Sequence, residues 1–310
     1  MIAIFFVVTL IVFLLIHFAP GDPLMYLAGD YELPPAVRTE LIARYGLDQP
    51  IYTQLFAFWG NILRGNLGES ITFREPVLQL IVERIPATML LMGASLIFAV
   101  SLGLILGVIS AVKFRTKTDL TISILSAIGY SLPTFVLGFI LIIAFAVWFP
   151  VFPRSGMSAI AEGGSGLSYY ADVFHHLILP TISLGTVTLT MITRLTRSRM
   201  LEVLQEDYVT TARVKGLSER TVIFKHALKN ASLPVVTIIG MQVGFIFAGA
   251  VLTENVFSWP GLGRLLASAV FARDYPLLMG MFTMMTVIVL ISILVTDLIY
   301  TVIDPRIRLG

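Results

Sequence analysis

RLTRSRMLEVLQEDYVTTARVKGLSERTVIFKHALKNASLP, residues 194–234, is the longest polar, helix-prone segment between apolar runs, and it holds eight of the chain's 21 lysines and arginines. Its local pattern predicts two or three short helices. Gln205 to Lys215 contains no glycine or proline. It sets Glu206 and Asp207 in a first turn and Arg213 and Lys215 in a last one, which complements a helix dipole at both ends. Gly216 then stops this helix. Ser218 is placed to cap a second one, SERTVIFKHALKNA, in which Val222, Ile223, Ala227 and Leu228 fall about a turn apart on one face. Leu233-Pro234 returns the chain to apolar sequence. A helical elbow that is basic on one side and apolar on the other has the chemistry of a docking element.

The composition around this elbow is that of a membrane protein. Hydrophobic residues make up 57% of the chain and charged residues 13%, against about 25% charged in soluble domains. The net charge of +2 gives no strong basic field for nucleic acid and is better read as an orientation signal. With no cysteine there is no disulfide framework, thiol nucleophile or thiolate metal site. His17, His175, His176 and His226 do not recur at ligand spacing near carboxylates, so no metal site is expected.

Six apolar runs are long enough to cross a bilayer. Met1 to Ala19 is the first, and it lacks the basic flank and small-residue cleavage pattern of a secretory signal, so it is expected to be retained. Residues 21–85 carry eight acids and five bases and cannot lie in hydrocarbon. They are expected to form a helical extramembrane lobe. Within it, AVRTELIARYGL follows Pro34-Pro35 as a helix with a glycine stop, and Ile51 to Leu63 is an amphipathic helix whose Tyr52, Phe56 and Trp59 suit an interface. Glu75 to Arg84 is a third.

Pro86 to Val112 is the second span. Ser95, Ala99, Gly103, Gly107 and Ala111 recur at every fourth place and make a smooth stripe for close helix packing. Leu120 to Trp148 is the third, interrupted by Gly129 and Pro133, and a proline there bends a helix. His175 to Thr193 is the fourth and Pro234 to Thr253 the fifth, where Gln242 needs a partner at that depth. Pro260 to Val270 is expected as a short re-entrant or surface helix. Leu277 to Ile303 is the sixth, with Asp297 near its end. Pro133, Gln242, Glu254 and Asp297 are the candidates for lining a pathway or packing helix on helix.

Charge sets the orientation. Lys113, Arg115 and Lys117, the eight cations of the elbow, and Arg306 and Arg308 all fall on one side, whereas the short opposite loops hold Arg154, Arg264 and Arg273. The positive-inside rule then places both termini and the elbow in the cytoplasm and the lobe outside.

EDYVTTARVKGL (206–217), KHALKNASLP (225–234), ENVFSWPGLGRLL (254–266) and DLIYTVIDPRIR (297–308) together resemble importer-type ABC transporter permeases, in particular the dipeptide and oligopeptide (DppB/OppB-like) branch. HFAPGDP, ending the first span, is similar too. Thr210-Thr211-Ala212 stand where the wider family signature has Glu-Ala-Ala. The resemblance implies an all-α, polytopic, six-helix permease of the type I importer fold in a prokaryotic inner membrane. Its parts are a first transmembrane helix at 1–20, an extracytoplasmic lobe at 21–85, a five-helix core at 86–303 with a coupling loop at about 199–233, and a cytoplasmic tail at 304–310. It implies a second, homologous permease as partner, two ATPase subunits that bind ATP and Mg, and an extracytoplasmic binding protein that delivers peptide. The residues it nominates for coupling to the ATPase are Glu206, Asp207, Ala212, Arg213, Lys215 and Gly216, with Arg220 and His226 beside them. Relatives handle dipeptides, longer peptides, glutathione and nickel complexes, so the substrate is left open.

No catalytic chemistry is visible: the sequence has no GxxxxGK[ST] phosphate loop, HExxH or GxSxG motif. The chain is therefore expected to be a non-catalytic subunit that binds no cofactor itself. Two other classes compete. An ion-coupled carrier or channel would use Gln242, Glu254 and Asp297 without any ATPase, and a structural scaffold would be indifferent to changes in the elbow. No inverted repeat supports the carrier.

Overall fold

The long apolar runs fold as helices, because a chain buried in hydrocarbon must satisfy its backbone polar groups within itself. A computed structural model describes residues 1–18, 34–45, 48–159, 166–232, 235 and 250–303. Among these there is no strand, only an isolated bridge between Glu69 and Pro76. In chain order the helices are α1 Ile2–Phe18, α2 Pro35–Tyr45, α3 Ile51–Leu63, α4 Val77–Val112, α5 Lys117–Ser131, α6 Thr134–Ile142 with a π-helical extension Ile143–Trp148, and α7 Leu167–Val203. Then come α8 Asp207–Val214, α9 Glu219–Thr221, a π-helical turn Val222–Ala227, α10 Leu228–Ala231, α11 Leu262–Ala272 and α12 Tyr275–Ile303. Residues 250–256 are also helical.

Packing divides the chain into two units. One is Met1–Ala87 with Pro260–Leu294, the other Thr88–Trp259 with Val295–Gly310. In the first, α3 has the bounds that its amphipathic pattern predicts, and Tyr52 and Phe56 are exposed. Trp59 is half-buried: its indole Nε1 donates to Thr9 Oγ1 at 3.1 Å and its ring meets Phe6 edge-on. A donor on a large apolar ring is most stable where the ring is covered and the N–H has a partner, and α1 supplies both. His17 closes the same seam, stacked on Phe13 with Nε2 at 3.0 Å from Gln54 Oε1. Asp274, fully buried, ties the loop before α4 to the start of α12. It accepts from Ser70 Oγ at 2.6 Å, Thr72 N at 2.9 Å and Leu277 N at 3.1 Å.

Several predicted boundaries move. Glu75–Arg84 and the second span are one helix, because α4 passes through Pro86 without stopping. Val77, Leu80 and Ile81 are buried on this first stretch and hold the chain helical where a proline alone would bend or end it. The stripe of small residues on α4 receives α7. A Cβ on Gly103 would lie 2.9 Å from Ile192, one on Gly107 2.5 Å from Thr196, and one on Gly185 2.9 Å from the Ser95 carbonyl. The third span breaks at Pro133, where α5 and α6 meet at a bend of 105°. Gly129 is a contact point instead of a break: α5 runs through it, and a Cβ there would lie 3.0 Å from the methyls of Thr186 and Thr190.

α7 is one helix of 37 residues, about 55 Å at 1.5 Å per residue, well beyond the roughly 30 Å of hydrocarbon. Predicted as His175 to Thr193, it continues through RLTRSRMLEV because nothing there stops it and Met200 is fully buried. By length and apolarity α4 and α7 can each cross a membrane, the α5–α6 pair passes the same test only if its two bent halves are counted as one span, and Ile2–Leu15 and Tyr275–Ile291 are shorter apolar helices. Most of the fifth predicted span, Gln242 included, and the tail from residue 304 lie outside the described residues. The short helix expected over Pro260 to Val270 is α11, which ends where Arg273 takes the left-handed backbone at φ 52°.

Candidate functional site

The elbow begins where α7 ends at Val203. After a turn through Leu204 and Gln205, Glu206 takes the extended backbone of an N-cap and α8 starts at Asp207, two residues later than the predicted Gln205. Asp207 lies in the first turn and Arg213 in the last, as the dipole argument requires. Gly216, at φ +76°, closes the helix. Its N–H donates to the Arg213 carbonyl at 2.9 Å and that of Leu217 to the Ala212 carbonyl at 3.4 Å, the paired bonds of a Schellman motif. Ser218 then caps the next helix, its Oγ accepting from Thr221 N at 3.4 Å.

Two side-chain links brace this turn from outside. Arg213 forms a two-pronged pair with Glu219 at 2.9 and 3.2 Å, and Asn230 donates to the Tyr208 hydroxyl at 2.7 Å. The guanidinium holds the Glu219 carboxyl below its ordinary range, and the carboxylate in turn raises Arg213. Both side chains are largely exposed, so the pair orients the turn more than it stabilises it.

The second predicted helix is not α-helical throughout. It opens as α9, widens into the π turn at Val222–Ala227 and closes as α10. The wide turn splits the apolar stripe between two small cores. Val222 joins Val209 and Ala212 beneath α8. Ile223, Ala227 and Ala231 join Val108 and Ala111 of α4 and Met200 of α7. Each fully buried large side chain in such a core contributes about 1.5–3 kcal/mol. The elbow is therefore seated on the adjoining ends of α4 and α7.

The eight nominated coupling residues all fall in this one element, in different settings. Glu206, Asp207, Arg213, Lys215, Gly216 and Arg220 are exposed, and His226 is half-buried. Ala212 lies in the core beneath α8. The outer face also exposes apolar side chains that the sequence reading did not single out: Val214 at 83%, Phe224 at 56% and Leu217 at 41%. Pro133, Glu254 and Asp297 belong to other elements. Pro133 occupies the N-cap of α6 at the bend. Glu254 is fully buried and accepts from Thr88 Oγ1 at 2.7 Å. Asp297 falls in the last turns of α12, and its side chain is outside the described residues. His175 and His176 are held by backbone carbonyls, Val151 O at 2.8 Å and Asp172 O at 2.9 Å. Among the described residues no group of three or more His, Asp or Glu could hold a metal.

Sequence reasoning missed a polar clamp next to the elbow. Asp119, 5% exposed, accepts from Arg197 Nε at 2.7 Å and Nη2 at 3.0 Å, from Ser110 Oγ at 2.6 Å and from Arg115 N at 3.0 Å. The available signal was a lone acid among Lys113, Arg115 and Lys117 at the head of an apolar run. Such an acid needs a cation to enter a helix bundle.

The chain is similar to known proteins in fold and in sequence. A solved inward-facing MetNI methionine ABC transporter matches with a TM-score of 0.59 at 16% identity, covering 73% of this chain and 97% of its own, so the fold is that of a permease of an ABC importer. In sequence, residues 103–309 match the family described as binding-protein-dependent transport system inner membrane component, and residues 1–92 match the N-terminal family of the same components. The chain belongs to this family. It is 44% identical to the di/tripeptide transport system permease protein DppB of Pseudomonas aeruginosa, over 98% of this chain and 95% of that one. It is 43% identical to the dipeptide transport system permease protein DppB of Escherichia coli K12, over 97% and 94%, and 41% identical to the oligopeptide transport system permease protein AppB of Bacillus subtilis, over 97% and 94%. The chain is accordingly a multi-pass permease subunit of a binding-protein-dependent ABC transport system, and membership does not favour the ion-coupled alternative.

Proposed function

We propose that this chain pairs with a second, non-identical permease to form the pathway for di- or oligopeptides handed over by an extracytoplasmic binding protein, and that it catalyses no reaction itself. In this reading both termini and the elbow are cytoplasmic and the lobe of residues 21–85 faces outward. ATP and Mg are bound by two separate ATPase subunits. The elbow lies in a cleft of one of them, with Val214, Leu217 and Phe224 as apolar anchors and Glu206, Asp207, Lys215 and Arg220 as the charged rim. The observation that carries this is the elbow's two-sidedness. Its inner face is packed on α4 and α7, its turn is fixed by a Schellman motif and a serine cap, and its outer face leaves large apolar side chains uncovered beside cations.

A lever needs that combination. Stiffness transmits a displacement, and a contact that differs between two partner states supplies the free energy to move it. The support for peptide as substrate is the identity to the di/tripeptide, dipeptide and oligopeptide permeases over nearly the whole chain. Affinity purification of the tagged chain from its native membrane is expected to bring down two ATPases and a second permease. The reconstituted assembly, given its binding protein and a peptide mixture, is expected to accumulate peptide only with ATP and Mg. Recovery of the chain without an ATPase refutes the reading.

A further inference from the structure

We infer that Asp119 and Arg197 form a positioning clamp that carries movement of the elbow to the bent helix pair α5–α6. The inference rests on the coupling role proposed above and adds the route by which the elbow reaches that pair.

Asp119 sits in the first turn of α5 and gathers donors from three other segments: Ser110 on α4, the Arg115 backbone in the intervening turn, and Arg197 on α7. Both carboxylate oxygens are saturated, and Arg197 matches them with the two-pronged geometry that a guanidinium provides and an ammonium does not. Phe114 completes the seat, with the Arg197 guanidinium 5.4 Å from its ring centre. The clamp directly adjoins the elbow core. Arg197 lies one turn before Met200, and Ser110 stands next to Ala111; Met200 and Ala111 both pack against Ile223, Ala227 and Ala231.

Below the clamp, α4 and α7 have no slack, since Gly107 meets Thr196 and Gly103 meets Ile192 at distances no side chain could occupy. These two helices move together with the elbow. The contacts between α5 and α7 include the Asp119 pair at the start of α5, the Gly129 approach to Thr186 and Thr190 near its end, and the Arg194 guanidinium 5.9 Å from the Tyr130 ring centre. The Gly129 contact is steric and carries no preferred direction. The Asp119 pair is directional and fixes the angle at which α5 leaves the elbow. Beyond Gly129 lies the 105° bend at Pro133, so an angle set at Asp119 is passed to α6. A buried carboxylate with four donors tolerates no other partner geometry at small cost, which suits it to transmit a displacement.

The test uses the complete transporter in proteoliposomes with its binding protein, comparing Asp119→Asn and Arg197→Lys with wild type. Three readouts are taken: recovery of the assembled complex, ATP hydrolysis, and peptide taken up per ATP. Both variants are expected to assemble and hydrolyse ATP, with uptake per ATP reduced about 5- to 150-fold in Asp119→Asn, the span of a lost coupling between two sites, and by less in Arg197→Lys, which keeps the charge. If Arg197→Lys assembles and couples as wild type, the clamp transmits nothing and the inference falls. If Arg197→Lys cannot be recovered as a complex, the pair is a folding element, which also overturns it. A wild-type complex that lacks ATP-driven uptake would instead defeat the coupling reading itself.

Discussion

Replacing Gly216 by valine isolates the elbow's turn from the rest of the molecule. Gly216 holds φ +76°, and nothing lies within 4 Å of where a Cβ would stand. The substitution therefore meets no clash, and its cost is the backbone alone. An L residue in the left-handed region loses about 1–2 kcal/mol, with a β-branched side chain toward the upper end. Release of that strain means giving up the two Schellman bonds to Ala212 and Arg213. A penalty of about 1–2 kcal/mol multiplies the population of the rearranged turn by roughly 5–30. Because α4 and α7 are untouched, membrane abundance is expected to equal wild type while uptake per ATP falls by a comparable factor. Asparagine adopts the left-handed backbone more readily, so Gly216→Asn is expected to retain most of the coupling. The assay is uptake and hydrolysis in parallel in proteoliposomes, with immunoblotting of the membrane fraction. A valine variant that transports at the wild-type ratio, or an asparagine variant as impaired as valine, refutes the argument from φ.

Three further outcomes follow from particular contacts. Gly107→Val places atoms against the Thr193 carbonyl at 2.8 Å as well as Thr196; overpacking of this kind costs about 1–3 kcal/mol, and the thermal unfolding midpoint in detergent is expected to fall by several degrees, whereas Gly93→Ala, inside α4 with open space around it, is expected not to lower it. Since the Arg213 guanidinium depresses the folded Glu219 carboxyl, the pair's contribution is complete above the unfolded glutamate value and disappears as pH falls through the lower folded value. A carboxylate titration by NMR is expected to find Glu219 below an ordinary glutamate and Arg213→Gln to restore it, and an unchanged midpoint contradicts the pair. With no native cysteine, single cysteines at the exposed Ser218 and Asn66 are expected to react with impermeant thiol reagents from opposite sides of the membrane, and labelling of both from one side overturns the proposed orientation.

Much of the elbow is legible in the sequence. Gly216, Ser218, Asp207 and Arg213 act on groups within a few residues of themselves, and their roles as stop, cap and dipole partners appear in the structure as predicted. The stripe from Ser95 to Ala111 was legible for the same reason, because a period of four fixes which face of α4 is smooth. Boundaries were less so. Pro86 reads as a helix start, yet buried Val77 and Ile81 extend α4 before it, and α7 continues past Thr193 because Met200 finds a core made of α4 and the elbow.

Sequence alone determined that this chain is helical, lives in a membrane and carries a capped, two-sided elbow, because apolar length, capping and periodicity are properties of neighbouring residues. Tertiary structure decided the partners. Arg197 is one of many cations in the sequence, and its match with Asp119, 78 residues away, exists only once α4, α5 and α7 are packed. The inward turn of Trp59 onto Thr9 and the division of the Val222–Ala227 stripe between two cores are of the same kind. Buried polar groups and apolar faces take whichever complement the fold brings near, and the free energy that selects it resides in contacts between segments that local sequence does not encode.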